Sequence, residues 1–358
     1  MTRGDTSTVK HLMAQMGTGP KSAQDMTREQ AGTTISGILE GEVHPTTIGA
    51  FLVANRWKAN TAEELSGFLD TARSYATNVT VPHISPVDCG AAYDGKRRTA
   101  LLGVAAGLIA AAAGVPIVVH SSEKVPTKFG ATYKDVLSAL NIETALSPAA
   151  SKQMLESAGF GYFYQPEFNP AYHELLQYRN QLGVRSFLNT LEPLANPANA
   201  SIHIGSFYHL KFAKRVIDTL VRSETQSFER IVLFQGLEGS DDIRSGYTKV
   251  VEWSNGKLSD YDIATAEYGI PESRESFEMP NLPVDSARIT EEILSGERTD
   301  HFREAALLNA ALRIYAYETV ENLRDGMEVG REVISSGKAL KKLEHLKAFY
   351  PAEKEVET

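Results

Sequence analysis

Cysteine is almost missing: Cys89 is the one thiol in 358 residues. That excludes an intramolecular disulfide and a cysteine-built zinc cluster, and it fits a reducing compartment. Net positive charge is missing too. Lys and Arg number 36 against 45 Asp and Glu, a formal charge of −9. This speaks against a broad nucleic-acid-binding face, though not against a local basic groove. No repeat and no low-complexity tract is visible. The N-terminus, MTRGDTSTVKHLMAQMG, is polar and lacks the apolar core of a signal peptide. The run from Leu101 to Val119 approaches the length of a membrane span. It is rich in Ala and Gly and holds Pro116, so it reads as a core helix followed by a strand. A cytoplasmic protein with no membrane partner is expected. What is present is ordinary globular material, 42% hydrophobic and 23% charged, and the length favours two domains.

The first 80 residues predict an all-helical domain. Val9 to Met16 is amphipathic. Thr27 reads as an N-cap, followed by Ala31, Ile35, Ile38 and Leu39 at helical spacing. Pro45 suits a first helical position before Ile48, Phe51, Leu52 and Val53. Thr61 and Glu64 form a capping-box pair that opens a helix to Tyr75. Asn78 to Pro86 reads as a linker.

From Val87 the pattern changes to α/β, and residues 87–350 are expected to form one mostly parallel sheet flanked by helices. The strand VDCG, the helix ALLGVAAGLIAAAAG, the strand IVVH, a polar loop and a helix from Tyr133 to Leu140 make a βαβ unit. Helices are also expected over Ser147–Ser157, Pro170–Gln181, Tyr208–Arg222, His301–Asn322 and Met327–Ser336. Further strands are expected at GFGYFYQP, Ile202–Ile204 and Ile231–Gln235. A hairpin should turn at Ser254-Asn255-Gly256. The closing PAEKEVET reads as a frayed acidic tail.

Ligands of open parallel sheets bind at the carboxyl ends of the strands. Two loops, Gly90–Arg98 and His120–Thr132, fall on that edge. In the first, Lys96, Arg97 and Arg98 stand at a helix start, where the macrodipole prefers anions. They read either as an anion site or as a solvated charge run. His120 ends its strand on the same edge, as a ligand-facing group or a satisfied strand-end residue. Asp241 and Asp242 follow another strand, as two solvated acids or as a hard-oxygen pair for a divalent cation.

Three longer segments are similar to anthranilate phosphoribosyltransferase and the glycosyltransferase family 3 enzymes. Residues Gly159–Ala200, GFGYFYQPEFNPAY…YRNQLGVRSFLNTLEPLANPANA, resemble the family pattern GxGFxFAPxxHPAM…VRxxLGIRTxFNxLGPLxNPA. GLEGSDDIRSGYTKVVEWSNGKLSDY resembles GxxGLDEISxxGxTxVxELxxGxIxxY, and DVLSALNI resembles ADVLEALG. The resemblance implies a nucleoside phosphorylase/phosphoribosyltransferase-like fold. Helices near 173–192 would join the N-terminal bundle, and a homodimer would form through the helical domains. It implies transfer of a phosphoribosyl group from phosphoribosyl diphosphate to an aromatic or nitrogenous acceptor. Asp241 and Asp242 would hold Mg²⁺. Gly90, Asp94 and Gly95 match the phosphate loop, Lys128 and Gly130 the SSKSG loop, and His120 and Ser122 the KHGN motif. Asn169 takes the position of the histidine before Pro-Ala. Arg179 aligns with the arginine that contacts the aromatic acid, and Pro193 with a pocket-wall proline. Arg185 would brace the fold or share that role. Asn180 and Asn189 read equally as caps.

The departures carry their own expectation. GTGGDG is here Gly90-Ala91-Ala92-Tyr93-Asp94-Gly95, NxST is Ala100-Leu101-Leu102-Gly103, and KHGN is Val119-His120-Ser121-Ser122. Tyr93 puts a ring where glycine lets a phosphate approach the backbone. The hydroxyls, lysine and asparagine are gone. A divergent branch, inefficient on anthranilate, is expected, with Lys96, Arg97, Arg98 and Lys128 as its anion site facing Asp241-Asp242. The competing reading is a non-catalytic protein on the same scaffold. It would hold a nucleotide, or a nucleic-acid strand, through Lys96, Arg97, Arg98, Lys124 and Lys128.

Overall fold

A computed structural model describes residues 5–19 and 22–350. The tail sequence PAEKEVET lies outside them. Four helices come first: α1 Thr6–Met16, α2 Arg28–Leu39, α3 Pro45–Lys58 and α4 Ala62–Ser74. Their starts follow the local chemistry. Thr27 pairs with Gln30, and Thr61 with Glu64, in reciprocal capping boxes that satisfy orphan N–H groups. His44 caps α3, with Pro45 at its first position. Their apolar stripes close on one cluster that includes Ile35, Phe51, Leu65 and Phe68. Tyr172, Leu175, Phe187, Leu188 and Leu191 belong to the same cluster. Phe187 stacks on Phe68 at 4.2 Å between ring centroids, so the 170–194 segment packs on the helical bundle.

The sheet has seven strands: β1 Val87–Gly90, β2 Ile117–Ser121, β3 Phe160–Tyr164, β4 Ile202–Phe207, β5 Arg230–Gln235, β6 Tyr247–Ser254 and β7 Lys257–Ala264. Their order is β3-β2-β1-β4-β5-β6-β7. The first five are parallel, and β6 and β7 add an antiparallel edge. The hairpin turns at Asn255 and Gly256, both at positive φ (48° and 82°), the conformation a two-residue primed turn requires. Strand β1 is the topological switch point. From it the chain steps outward through β2 and β3, then returns to β4 on the other side, which opens a crevice at the carboxyl ends.

The run that approached the length of a membrane span is α5, Gly103–Ala112, followed by β2. α5 is buried on nearly every side. At Gly107 a Cβ would come within 2.8 Å of the Phe160 ring, so glycine lets the helix nest on the sheet. The helix His301–Ala316 covers its other face, with Leu307, Leu308 and Ala311 fully buried. Among the described residues, no helix is long and apolar enough to cross a membrane.

Two expected helices are shorter than their patterns. Pro170–Gln181 is two pieces, Pro170–His173 and Leu176–Leu182. His301–Asn322 stops at Ala316, and Glu318 sits at φ 63°, which an α-helix cannot pass through. Helices Leu282–Leu294 and Lys338–Lys347 come in addition to the expected ones.

Candidate active site

The two loops on the carboxyl edge are clasped to each other. Lys96 N donates to Ala131 O (2.9 Å), Ala131 N returns to Lys96 O (2.8 Å), and Gly130 N donates to Asp94 O (2.9 Å). Gly95 and Gly130 make this possible. A Cβ on Gly95 would lie 2.4 Å from Ala131 O, and one on Gly130 would lie 2.4 Å from Lys96 O. Gly90 is held as closely, because a Cβ there would lie 2.1 Å from Pro193 O. Glycine at 90, 95 and 130 thus joins loop to loop.

The charged groups meet on this edge, and they meet one another. Lys96 is 1% exposed and donates to Asp242 Oδ2 (2.7 Å) and Ala100 O (2.6 Å). Asp241 Oδ2 accepts from Arg313 Nη2 (2.6 Å) and from the Tyr133 hydroxyl. Burial pushes the Asp241 carboxyl up, and the Arg313 guanidinium offsets it only in part. Asp94 is buried between Lys128 Nζ (3.1 Å) and Arg185. Burial also depresses the Lys128 ammonium, against the pull of Asp94. Arg179 forks onto both oxygens of Glu192, with both side chains buried. Such forked pairs are among the stronger contacts a protein makes.

The basic triplet is therefore divided. Lys96 points inward, while the Arg97 and Arg98 side chains are exposed. Their backbone N–H groups, with those of Thr99, converge on Glu238 at 2.8–3.2 Å. Burial works to raise the Glu238 carboxyl, yet these donors hold it below the usual range. Lys128 Nζ also donates to Glu238 O (2.9 Å). The expected anion cluster of four free cations does not form, because Lys96 and Lys128 are engaged by acids of the same chain. For the same reason a row of phosphate contacts for a nucleic-acid strand loses two of its five members.

Other expected site residues sort by their contacts. Asn169 caps the helix at Pro170: its Oδ1 accepts from Tyr172 N (3.2 Å) and its Nδ2 donates to Ala72 O (2.9 Å). Both ends of its amide are thus spent on the fold. Asn189 lies inside the short helix Leu188–Leu191 and does not cap it, but its amide is also spent on the fold, accepting from Ser186 N (3.1 Å) and donating to Pro126 O (3.0 Å). Ser122 is fully buried, and its hydroxyl has no hydrogen-bond partner among the described residues. Arg179 is held by Glu192, so its guanidinium fork is not open to an acceptor's acid group.

His120 belongs to a buried chain that sequence reasoning missed. Tyr93 OH lies 2.5 Å from His120 Nδ1, His120 Nε2 lies 3.2 Å from Asp88 Oδ1, and His203 Nδ1 lies 2.8 Å from Asp88 Oδ2. Burial works to raise the Asp88 carboxyl, and the two imidazoles outweigh it and hold it at about 2. His203 Nε2 is buried without a partner among the described residues. Its ring lies across Gly90 and Gly205, where a Cβ on either would stand 2.8 Å away. The available signal was a polar residue inside an apolar strand, as in VDCG and IHIG, because buried polar groups require partners.

His203 forms part of the wall of a cavity of about 620 Å³ at the carboxyl edge. Arg98, Lys128, Arg185, Pro193, Gly205 and Glu238 also line it. Beside it, a hole of about 20 Å³ is walled by Lys96, Tyr133, Asp241 and Asp242 among others. Asp242 Oδ1 is buried there without a hydrogen-bond partner among the described residues. That one oxygen fits a divalent ion whose other ligands come from elsewhere, since Mg²⁺ commonly binds through one or two carboxylates plus phosphate oxygens. The remaining acid of the pair is taken by Arg313 and Tyr133.

Residues 91–340 match the α/β domain of the glycosyl transferase family, and residues 10–76 match that family's helical bundle domain. The chain belongs to this family. It is 31% identical over 325 residues to anthranilate phosphoribosyltransferase of Thermoanaerobacter sp. (strain X514), covering 90% of this chain and 94% of that protein. It is 32% identical over 325 residues to the Alkaliphilus metalliredigens enzyme of the same name, with the same coverage. The crystal structure of anthranilate phosphoribosyltransferase from Thermus thermophilus superposes with a TM-score of 0.79 at 26% identity, over 95% of this chain and 98% of that one. The Saccharomyces cerevisiae enzyme, solved with phosphoribosyl diphosphate (PRPP) and Mg, shares the fold: its TM-score is 0.79 at 19% identity, over 96% and 97%. The family and fold implied by the sequence motifs are thereby established. Glu192, in LEPL, stands where the family pattern has glycine.

Proposed function

We propose that this chain transfers a phosphoribosyl group from PRPP to an aromatic or nitrogenous acceptor, as a cytoplasmic homodimer. The observation that carries this reading is full-length similarity to anthranilate phosphoribosyltransferases, through both domains. The geometry supports it. A cavity of about 620 Å³ lies at the topological switch point, with Arg98, Lys128 and Arg185 on its walls. Their charge suits the phosphates. Pro193, Leu194 and Phe207 give the cavity an apolar wall beside these cations.

No nucleophilic side chain is required. The bond from ribose C1 to the diphosphate oxygen breaks, and that oxygen keeps the electron pair. The acceptor nitrogen forms its bond to C1 and loses a proton. We assign that proton to His203 Nε2, which is buried at the cavity wall without a partner among the described residues while Asp88 holds the opposite ring nitrogen. The chain's contribution is position and fixed charge. Mg²⁺, held by Asp242 Oδ1, would neutralise charge on the leaving diphosphate.

The test is ligand-dependent melting. PRPP with Mg²⁺ should raise Tm, since a ligand selective for the native state stabilises it. Pyrophosphate release across a panel of aromatic amines and nitrogen heterocycles then identifies the acceptor. No shift at millimolar ligand would sink the reading. Anthranilate is expected to be a poor acceptor, because Glu192 already occupies the Arg179 fork.

A further inference from the structure

The acidic pair after β5 differs from an open metal site in one respect: each carboxylate already has a cation of its own. Lys96 Nζ is 2.7 Å from Asp242 Oδ2, and Arg313 Nη2 is 2.6 Å from Asp241 Oδ2. All four side chains are at most 4% exposed. Two negative charges face two positive ones, so the buried group is neutral as folded. Asp242 Oδ1 nevertheless remains without a partner among the described residues, beside a hole of about 20 Å³. A hole of that size takes one water or one ion.

Adding a divalent ion alone would leave the buried group with two uncompensated positive charges, and burying unpaired charge is costly. Adding it with a diphosphate would not, because the phosphate oxygens bring the balancing charge. We infer that Lys96 is a built-in counter-cation that keeps the Asp241–Asp242 site closed to divalent metal in the free protein, so that metal and diphosphate enter only together. The diphosphate half of this rests on the phosphoribosyl reading. The metal-exclusion half rests only on contacts within this chain. Lys96 is suited to the role because its loop is fixed on both sides: its backbone is paired with Ala131, and its ammonium is also held by Ala100 O.

The experiment uses Mn²⁺ as the probe, titrated into ligand-free, full-length protein and read by the electron paramagnetic resonance signal of the free ion. Wild type should leave the signal unchanged. Lys96→Met should deplete it, with affinity raised roughly tenfold or more by loss of the adjacent charge. Lys96→Arg keeps the charge and should stay silent. Mg²⁺ alone should raise the Tm of Lys96→Met and leave that of wild type where it was. Tight Mn²⁺ binding by wild type without diphosphate overturns the inference, and so does a folded Lys96→Met that binds no better than wild type. If Lys96→Met is unfolded when made, refolding it with Mn²⁺ gives the same readout. Recovery of the native circular dichroism spectrum supports the inference, and failure to recover overturns it. A wild type that ignores PRPP with Mg²⁺ removes the phosphoribosyl reading and leaves the Mn²⁺ result standing.

Discussion

Two neighbouring regions of the carboxyl edge contrast sharply. Around Asp241 and Asp242 the charges are buried, paired and packed about a hole of roughly 20 Å³. Next to it, the cavity of about 620 Å³ has exposed Arg98, part-exposed Lys128 and Arg185, and a buried imidazole nitrogen with no partner among the described residues. The first region has its electrostatics completed by the chain itself. The second sets two cations, Lys128 and Arg185, against the single acid Asp94 and leaves the Arg98 guanidinium without an ion pair among the described residues, so it keeps positive charge that a ligand can still use. Charged residues near a strand end therefore do not make a ligand site merely by being there. What matters is whether the fold has already supplied their counter-charges, since a paired buried charge is largely spent.

The contrast breaks most severely at Arg313. It is fully buried, it holds Asp241, and its Nη1 donates to Asn309 O. Arg313→Met leaves a buried carboxylate without its cation. Loss of one partner of such a pair costs about 3–5 kcal/mol, read as a lower midpoint in urea unfolding. Arg313→Met combined with Asp241→Asn should recover much of that loss. If the single variant is as stable as wild type, the paired region is not the structural element described above.

The sequence displays this contrast unevenly, and the reason is distance along the chain. Local signals are plain: the capping box Thr61–Glu64, the turn Asn255-Gly256 and the apolar strand ending at His120 all lie within a few residues. The partnerships that decide the chemistry do not. Lys96 meets Asp242 across 146 positions, and His203 meets Asp88 across 115. The sequence shows that Arg313 interrupts LLNAALRIYA, and that such a residue needs a counter-charge. It does not show which one. Arg179 and Glu192 are only 13 apart, and glutamate in place of glycine in LEPL is the visible clue. Alignment alone assigns Arg179 to the acceptor, whereas the fold gives it to Glu192.

A middle-sized effect lies at the boundary of the two regions, in Asp88. Its carboxyl falls from an ordinary value of 3.8 to about 2 in the folded protein. A folded value below the unfolded one means stability is present above about pH 4. It is lost as pH falls towards 2. The shift corresponds to about 2 kcal/mol. Asp88→Asn should remove that portion of the acid transition, leaving a flatter stability profile between pH 4 and 2 in chemical denaturation. A variant profile that parallels wild type would show that the two imidazoles do not set the Asp88 charge.

The smallest effect on stability separates two adjacent arginines. Arg97 and Arg98 are both exposed, their guanidinium groups form no hydrogen bond or ion pair among the described residues, and both lend only backbone N–H groups to Glu238. Arg98 lines the large cavity and Arg97 does not. Neither substitution to Ala should move stability beyond about 0.5 kcal/mol, because no buried contact is lost. They should differ in ligand response. If the guanidinium of Arg98 meets a phosphate of PRPP, its removal costs about 1.5–3 kcal/mol of binding, the worth of a hydrogen bond to a charged group. Arg98→Ala should then shrink the rise in Tm that PRPP and Mg²⁺ produce, while Arg97→Ala keeps it whole. Equal loss in both would mean that the triplet acts through its general positive field, which salt would screen. Equal retention would place the phosphates on Lys128 and Arg185 alone, and Lys128→Met would be the variant that loses them.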